Sequence, residues 1–140
     1  MKIEITFPGG SRVDAQVQGH TITTDQSPGH GGDGSAPAPY AVFLASLGAC
    51  AGYFVQAFCA GRNLSTEGVR VVQHVDKDPA TGLASHIRID VEVPESFPSK
   101  YHPALIRAAS QCSVKRSLER PPTIETVVHG PTALPGAILA

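Results

Sequence analysis

Three cysteines are the strongest candidates for chemistry in this sequence of 140 residues. Cys50 stands in the run Leu47-Gly48-Ala49-Cys50-Ala51-Gly52, where small neighbours leave its sulfur accessible to a small molecule. A thiolate is a nucleophile, but burial raises the pKa of a thiol and keeps it inert unless a cation or a hydrogen-bond donor approaches. Cys50 is therefore either a buried structural cysteine or a nucleophile that another segment of the chain activates.

The other two cysteines differ in how they can relate to Cys50. Cys59 follows nine residues later, on the opposite face of a straight helix and about 13 Å further along its axis, so the two cannot form a disulfide. We interpret Cys59 as structural. Cys112 belongs to a different predicted helix, and the sequence neither requires nor excludes a pair with Cys50. Any cation that activates Cys50 must come from outside its segment, and the candidates are Arg12, Arg62, Arg88, Lys115 and Arg116.

The remaining patterns exclude several classes of function. None of the six histidines lies at metal-ligand spacing from another histidine or from a cysteine, and there is no C-x-x-C, so we expect no metal site. The sequence has no nucleophile elbow, phosphate-binding loop or dinucleotide fingerprint, and we expect no bound cofactor. A net charge of −1 argues against nucleic acid as a partner, because phosphate binding requires a basic excess.

Hydropathy patterning predicts the elements that must position these residues. The predicted strands are 2–7, 12–18, 20–25, 69–75, 86–93 and 123–128, and the predicted helical segments are 40–61, 103–111 and 113–120. This order, β-β-β-α-β-β-α-β, predicts an α+β fold in which hairpin-linked strands are separate from the helices. A loop rich in glycine and proline at 27–39 is either a flexible linker or a cover over a site.

The segment 40–61 contains no charged residue and is long enough to cross a membrane. It is rich in alanine and glycine, and no basic cluster sets an orientation, so we expect a buried helix and no membrane span. A chain of this length can hardly cover such a helix on all sides, which favours a second subunit. We predict a single domain over 1–129 with a loose tail over 130–140. An odd number of cysteines and the absence of a signal peptide favour the reducing cytoplasm.

Three segments resemble the OsmC/Ohr family of thiol-dependent hydroperoxide reductases. They are Ala36-Pro37-Ala38-Pro39, then Phe43-Leu44-Ala45-Ser46-Leu47-Gly48-Ala49-Cys50, and later Ala109-Ser110-Gln111-Cys112-Ser113-Val114. The resemblance covers about 1–129. It implies an intertwined homodimer in which antiparallel sheets wrap around long central helices and the active sites lie at the subunit interface.

The resemblance also implies roles for individual residues. Cys50 matches the family's peroxidatic cysteine, which attacks the O–O bond of an organic hydroperoxide, and Cys112 matches the resolving cysteine, which joins it in a disulfide that an external dithiol reduces. Gly9-Gly10-Ser11-Arg12 resembles the family's arginine motif with one residue inserted, which makes Arg12 the expected cation. The family's glutamate, ten residues before the peroxidatic cysteine, corresponds to Tyr40, which either hydrogen-bonds in its place or packs at the start of the helix.

Two functional hypotheses follow from these observations. The first is a cytoplasmic, homodimeric cysteine peroxidase, an oxidoreductase of the oxidative stress response that acts on organic hydroperoxides with Cys50, Cys112 and Arg12. The second is an OsmC-like dimer that has lost this activity and binds a small apolar or thiol-bearing ligand in the same interface pocket. The missing glutamate and the apolar, glycine-lined helix motivate the second hypothesis.

Overall fold

The computed structural model describes residues 1–130 and contains two antiparallel sheets and three helices. The strands are β1 (Glu4–Gly9), β2 (Arg12–Val17), β3 (His20–Thr24), β4 (Arg70–Lys77) and β5 (Ala84–Glu92). The helices are α1 (Pro39–Ala60), α2 (His102–Ala109) and α3 (Ser113–Glu119). The predicted α+β class is confirmed, and the predicted tail over 130–140 lies, apart from Gly130, outside the described residues.

Strands β1–β3 form a meander in the order β1-β2-β3. Its register aligns Ile5, Ala15 and Ile22 across the three strands, so one face of the sheet is apolar. Gln18 and Gly19, both with positive φ, form the two-residue turn between β2 and β3. A bulge interrupts the pairing of β1 with β2 between Thr6 and Gly9. The apolar face remains largely open, because Ile5 and Ile22 keep 49% and 40% of their surface exposed.

The hydrophobic core lies elsewhere, between α1, α2 and the β4–β5 hairpin. Its buried members are Val55, Phe58, Cys59, Phe97 and Leu105, and none comes from the meander. One apolar face of the hairpin packs on α1, because the pairs Val71 with Val91 and Ile87 with Val75 alternate with polar pairs on the other face. The region around this core is thus more completely packed than the meander.

Helix α1 occupies the charge-free segment for which the sequence predicted a helix. Its buried residues Leu47, Ala51, Val55, Phe58 and Cys59 follow a helical spacing along one face. Helix α1 is long and apolar enough to cross a membrane, but core helices of soluble proteins can have the same length and composition. Only 28% of its most apolar window is buried in the single chain, so much of α1 is left uncovered.

Gly48 allows the hairpin to approach α1 closely. A Cβ atom at this position would lie 3.0 Å from Oε1 of Gln73 on β4, and the amide of Gln73 donates to the carbonyl oxygen of Leu44 at 3.1 Å. Gly48 therefore has a packing role, whereas a Cβ at Gly52, one turn later, would meet nothing within 4 Å. The contact at Gly48 fixes the first half of α1 against β4.

The loop between β3 and α1 is folded around a buried carboxylate. Asp25 is only 1% exposed and accepts hydrogen bonds from the backbone and hydroxyl of Ser35 and from the amides of Gln26 and Asp33. These hydrogen bonds, led by the one from the Ser35 amide, hold the pKa of Asp25 below its ordinary value. Gly32 must be glycine, since a Cβ there would lie 2.1 Å from the carbonyl oxygen of Gln26. The loop is therefore ordered by Asp25, which neither interpretation of its sequence had included.

The predicted last strand is wrong for the described chain. Residues 123–128 form neither a strand nor a helix, and Ile124 and Val128 are more than four-fifths exposed. A strand requires a partner to satisfy its backbone groups, and no strand within residues 1–130 pairs with this segment.

Candidate functional site

Cys50 lies near the middle of α1, where that helix faces the start of α3. Its thiol is partly buried and free. The backbone amides of Val114 and Ser113, the first two residues of α3, and the thiol of Cys112 face its sulfur and lower its pKa. The packing of α3 on α1 thus brings together two sequence segments that are more than sixty residues apart.

Cys112 occupies the N-cap position of α3 and is 1% exposed. Its Sγ accepts a hydrogen bond from the Lys115 amide at 3.4 Å and lies 3.7 Å from the carbonyl oxygen of Leu47, to which its S–H can donate. A cysteine at this position has the extended backbone of an N-cap residue while its sulfur faces α1. The structure therefore places the two cysteines, whose meeting the sequence left open, side by side.

The two thiols differ in acidity for physical reasons. Burial opposes ionisation of Cys50, but the hydrogen bonds from Val114, Cys112 and Ser113 outweigh it, so the pKa of Cys50 lies below its ordinary value of 9.0. Burial raises the pKa of Cys112, and its hydrogen bond to Cys50 raises it further. Of the two thiols, Cys50 is therefore the more acidic.

Cys59 has none of these features. It is fully buried in the core, and burial raises its pKa despite the opposing charge of Arg62. No backbone donor is among the causes of its shift. This environment agrees with the structural interpretation of Cys59.

In the described chain, backbone amides and a thiol lower the pKa of Cys50, and no cation does. Three of the candidate cations have other contacts: the Arg62 guanidinium lies 3.9 Å from the Phe58 ring centre, Arg88 binds Asp90, and Lys115 faces Glu119. No cation is among the groups that lower the pKa of Cys50. Sequence reasoning missed the amides because the start of α3 becomes a donor only when it packs against α1.

Arg12 is not brought to the cysteines within one chain. It is the first residue of β2 and is exposed, on the meander that contributes nothing to the hydrophobic core. The Gly9–Gly10 turn that precedes it has positive φ at both glycines, as a tight reversal requires. The position of Arg12 relative to Cys50 therefore depends on what covers the meander.

Tyr40 contacts the hairpin instead of the cysteines. Its hydroxyl accepts a hydrogen bond from the Ala84 amide at 2.8 Å, and its ring stacks on Phe43 with centres 5.9 Å apart. Of the two alternatives for Tyr40, packing at the start of α1 is the one found in the described chain, and its hydrogen bond goes to the hairpin. The bond secures β5 and does not orient an arginine.

An apolar groove of about 680 Å³ lies beside the cysteine pair, between α1, β5, α2 and α3. Leu47, whose carbonyl oxygen faces Cys112, forms part of its wall, and Lys115 and Glu119 of α3 supply charged groups at another side. The other apolar residues that line it are Ile87, Ile89, Val91, Ile106, Ala109 and Leu118. Within residues 1–130, no group of three or more histidine, cysteine or acidic side chains is arranged to hold a metal ion.

Comparisons with known proteins agree with the sequence resemblance. Residues 32–127 match the family model described as OsmC-like protein. No curated protein matches the chain. Among solved structures, a protein from Psychrobacter arcticus 273-4, described in terms of osmotic stress induction and a detoxification response, superposes with a TM-score of 0.71 at 19% identity, over 84% of this chain and 87% of that one.

Two further solved structures have the same fold. An organic hydroperoxide resistance protein OsmC from Legionella pneumophila, also described as a predicted redox protein, has a TM-score of 0.51 at 17% identity, covering 84% of this chain and 89% of its own. A structural-genomics protein has a TM-score of 0.61 at 20% identity and covers 86% and 91%. At these identities the likeness establishes the fold, which the family match over residues 32–127 supports independently.

Proposed function

Since this chain belongs to the OsmC-like protein family, we propose that it is a thiol-dependent peroxidase that reduces organic hydroperoxides. The observation that carries the proposal is the Cys50–Cys112 pair, in which one thiol has a lowered pKa and its hydrogen-bonded neighbour a raised one. A thiolate is the attacking species, and a nearby protonated thiol is suited to react with the product. The name of the Legionella relative, which refers to hydroperoxide resistance, is consistent with this chemistry.

The proposed reaction has three balanced steps. The Cys50 thiolate attacks the distal oxygen of the hydroperoxide, the O–O bond breaks, and the alkoxide leaves with a proton as an alcohol while Cys50 becomes a sulfenic acid. The sulfur of Cys112 then attacks that of Cys50, and its proton leaves with the hydroxyl group as water. An external dithiol reduces the Cys50–Cys112 disulfide and is itself oxidised to a disulfide. No bound cofactor is required, and we place the protein in the cytoplasm.

The apolar groove supports an organic over an inorganic peroxide. It adjoins the cysteine pair through Leu47, and its walls include Ile87, Ile106 and Leu118. Burial of an alkyl or aryl group there is favourable by about 25 cal/mol per Å² of apolar surface, a gain that hydrogen peroxide cannot obtain. We therefore expect a lower KM for an aryl hydroperoxide than for hydrogen peroxide.

We also propose that the active form is a homodimer. The meander leaves its apolar face exposed, with Phe7 80% accessible, and much of α1 is uncovered in the single chain. Exposed apolar surface of this extent marks an interface. In the dimer we assign to Arg12 the role of the cation that faces Cys50, since the single chain leaves it on the uncovered meander. Sedimentation should give twice the chain mass of 14.6 kDa, and a monomer at micromolar concentration would contradict this assignment.

The decisive experiment adds one equivalent of an aryl hydroperoxide to the reduced protein and maps the disulfides by peptide mass. We expect a rapid Cys50–Cys112 bond in the wild-type protein and none in Cys50→Ser. Cys59→Ser is the matched control on the same helix and should behave as the wild type. Free thiols on both Cys50 and Cys112 after prolonged exposure would contradict the proposal.

A second function is favoured by one observation. The family's glutamate is absent at Tyr40, whose hydroxyl accepts from the Ala84 amide and does not orient an arginine. In this alternative the dimer has little peroxidase activity and holds a small apolar or thiol-bearing ligand in the groove. Saturable binding of such a ligand to an intact dimer, without oxidation of Cys50, would favour it over the peroxidase.

A further inference from the structure

The two sulfur atoms of the candidate site lie at the start of helix α3. The first amides of a helix have no partner within the helix and must find one elsewhere. The amides of Ser113 and Val114 face the sulfur of Cys50, which lies on a different helix, and lower its pKa.

Cys112 supplies acceptors within the first turn of α3. Its sulfur accepts from the Lys115 amide at 3.4 Å, and its carbonyl oxygen accepts from the Arg116 amide at 3.1 Å. The bond from the Lys115 amide ends on sulfur, so the cap of this helix depends on the chemical state of Cys112.

Helix α3 has little else to hold it. It has seven residues, and none of them is buried. Isolated helices of this length are unstable in water, and packing or capping must supply what propensity does not. Its own side chains add an exposed Lys115–Glu119 pair at 3.7 Å, a kind of interaction that contributes little, and a hydrogen bond from the Ser117 hydroxyl to the Ser113 carbonyl oxygen at 3.0 Å.

We propose that α3 is a redox-responsive helix, held in place while Cys50 and Cys112 are thiols and loosened when they form a disulfide. The Cys112 sulfur accepts from the Lys115 amide in its present position against α1. A disulfide imposes an S–S length of about 2.05 Å and its own torsion on the two sulfur atoms, and so draws the Cys112 sulfur away from that amide. Oxidation thus weakens the cap of α3.

The loosening of α3 would affect access to the site. Lys115, Leu118 and Glu119 of α3 form one wall of the apolar groove, and Cys112 at its start is almost fully buried. A reductant must reach one of the two sulfurs of the disulfide to attack it. Movement of α3 in the oxidised state opens the groove at that point, whereas the thiol state keeps it narrow. This inference rests on the Cys50–Cys112 pairing of the proposed function but not on peroxide as the oxidant.

Hydrogen exchange measured by mass spectrometry, with diamide as the oxidant, tests the inference. Diamide takes two electrons and two protons from the pair, so that its N=N bond becomes a hydrazine while the S–S bond forms. We expect the α3 peptide to exchange about fivefold faster or more in the oxidised protein, the change that loss of an N-cap produces. The α2 peptide, which contacts neither sulfur through its amides, is the internal control and should be unchanged.

Two variants at one position separate capping from cross-linking. Cys112→Ser keeps a good N-cap oxygen but cannot form the disulfide, so α3 should remain protected before and after diamide. Cys112→Ala removes the cap without oxidation, and α3 should exchange rapidly even in the reduced protein. Near-native ellipticity and unchanged exchange in α2 would show that both variants fold.

Each result bears on the inference in one direction. Faster exchange confined to α3 in the disulfide form and in Cys112→Ala supports it. Unchanged exchange in a protein whose Cys50–Cys112 bond is verified by mass overturns it, and failure of diamide to form that bond overturns it together with the pairing. If diamide forms the bond and loosens α3 but hydroperoxides do not oxidise Cys50, the peroxidase proposal fails and the inference stands.

Discussion

The middle and the C-terminal end of helix α1 surround their cysteines in opposite ways. Around Cys50 the helix meets the start of α3, and hydrogen-bond donors lower the pKa of a half-buried thiol. Around Cys59 the helix packs into the hydrophobic core, and burial raises the pKa despite the charge of Arg62. The same residue type on the same charge-free helix is thus a candidate nucleophile in the middle and a packing residue at the C-terminal end. Reactivity here depends on what another element brings to the sulfur.

The largest expected difference between the Cys50 and Cys59 regions is in the rate of turnover. Cys50→Ser should lower the rate of aryl hydroperoxide consumption by roughly a thousandfold or more, because a hydroxyl group is a far poorer nucleophile than a thiolate. Cys59→Ser should stay within about twofold of the wild type. The measurement is the steady-state rate of hydroperoxide consumption with dithiothreitol in excess. Equal falls in this rate in both variants would remove the distinction between the Cys50 and Cys59 regions.

The second effect is on the free energy of unfolding and concerns the hydrophobic core around Cys59. Leu105 is 2% exposed and lies in the core cluster that includes Cys59. Its replacement by alanine should lower the free energy of unfolding by about 2–5 kcal/mol. Its neighbour Ile106 is 63% exposed, and Ile106→Ala should cost about 0.5 kcal/mol. Urea unfolding at one fixed protein concentration compares them. A larger loss in Ile106→Ala would indicate that partner contacts, rather than this core, dominate stability.

A third effect concerns pH. Because the pKa of Cys50 is lowered, its rate of alkylation by iodoacetamide should reach half its maximum below the ordinary value of 9.0, while Cys59 in the folded protein should stay unreactive there. The sign follows from the lowered pKa: the thiolate and the stability that it contributes are retained above 9.0 and lost as the pH falls through the lowered value. Cys112→Ala, which removes one donor, should move the midpoint for Cys50 upward. No movement would exclude the Cys112 thiol as a cause.

The smallest effect concerns the residue that occupies the family's glutamate position. Tyr40→Phe removes the acceptor of the Ala84 amide and should cost about 1 kcal/mol of unfolding free energy, with little change in turnover. Tyr53→Phe is the matched control on the same helix, since Tyr53 is 64% exposed, and should be neutral. A large fall in turnover for Tyr40→Phe would assign this hydroxyl to the site of Cys50 instead of to the hairpin.

Local pattern predicts much of this fold. The charge-free segment 40–61 predicts α1 to within a residue at each end, and the alternation in 86–93 predicts most of β5. The alternation of β5 matches a strand that covers α1 with one face, whereas much of the apolar helix α1 itself stays uncovered in the described chain. The alternating residues 123–128 show the limit, because a strand also needs a partner, and the described chain does not supply one.

The candidate site is less predictable for a related reason. Residue types and the family resemblance select Cys50 and Cys112, but the amides of Ser113 and Val114 have no sequence signature, since every residue except proline carries one. The role of Asp25 is hidden in the same way, because its partners are backbone groups of a glycine-rich loop. Sequence alone names the reactive atoms, whereas the groups that tune them become visible only when the elements pack.

The bulge in β1 has a consequence for solubility. β1 is an edge strand of the meander, and exposed edges are templates for uncontrolled pairing between copies of a chain. Pro8 stands within that strand, at the interruption between Thr6 and Gly9, and has no N–H to offer to an incoming strand. Edge-to-edge growth into fibres is thereby blocked at Pro8, and the apolar face of the sheet remains the surface through which copies can associate.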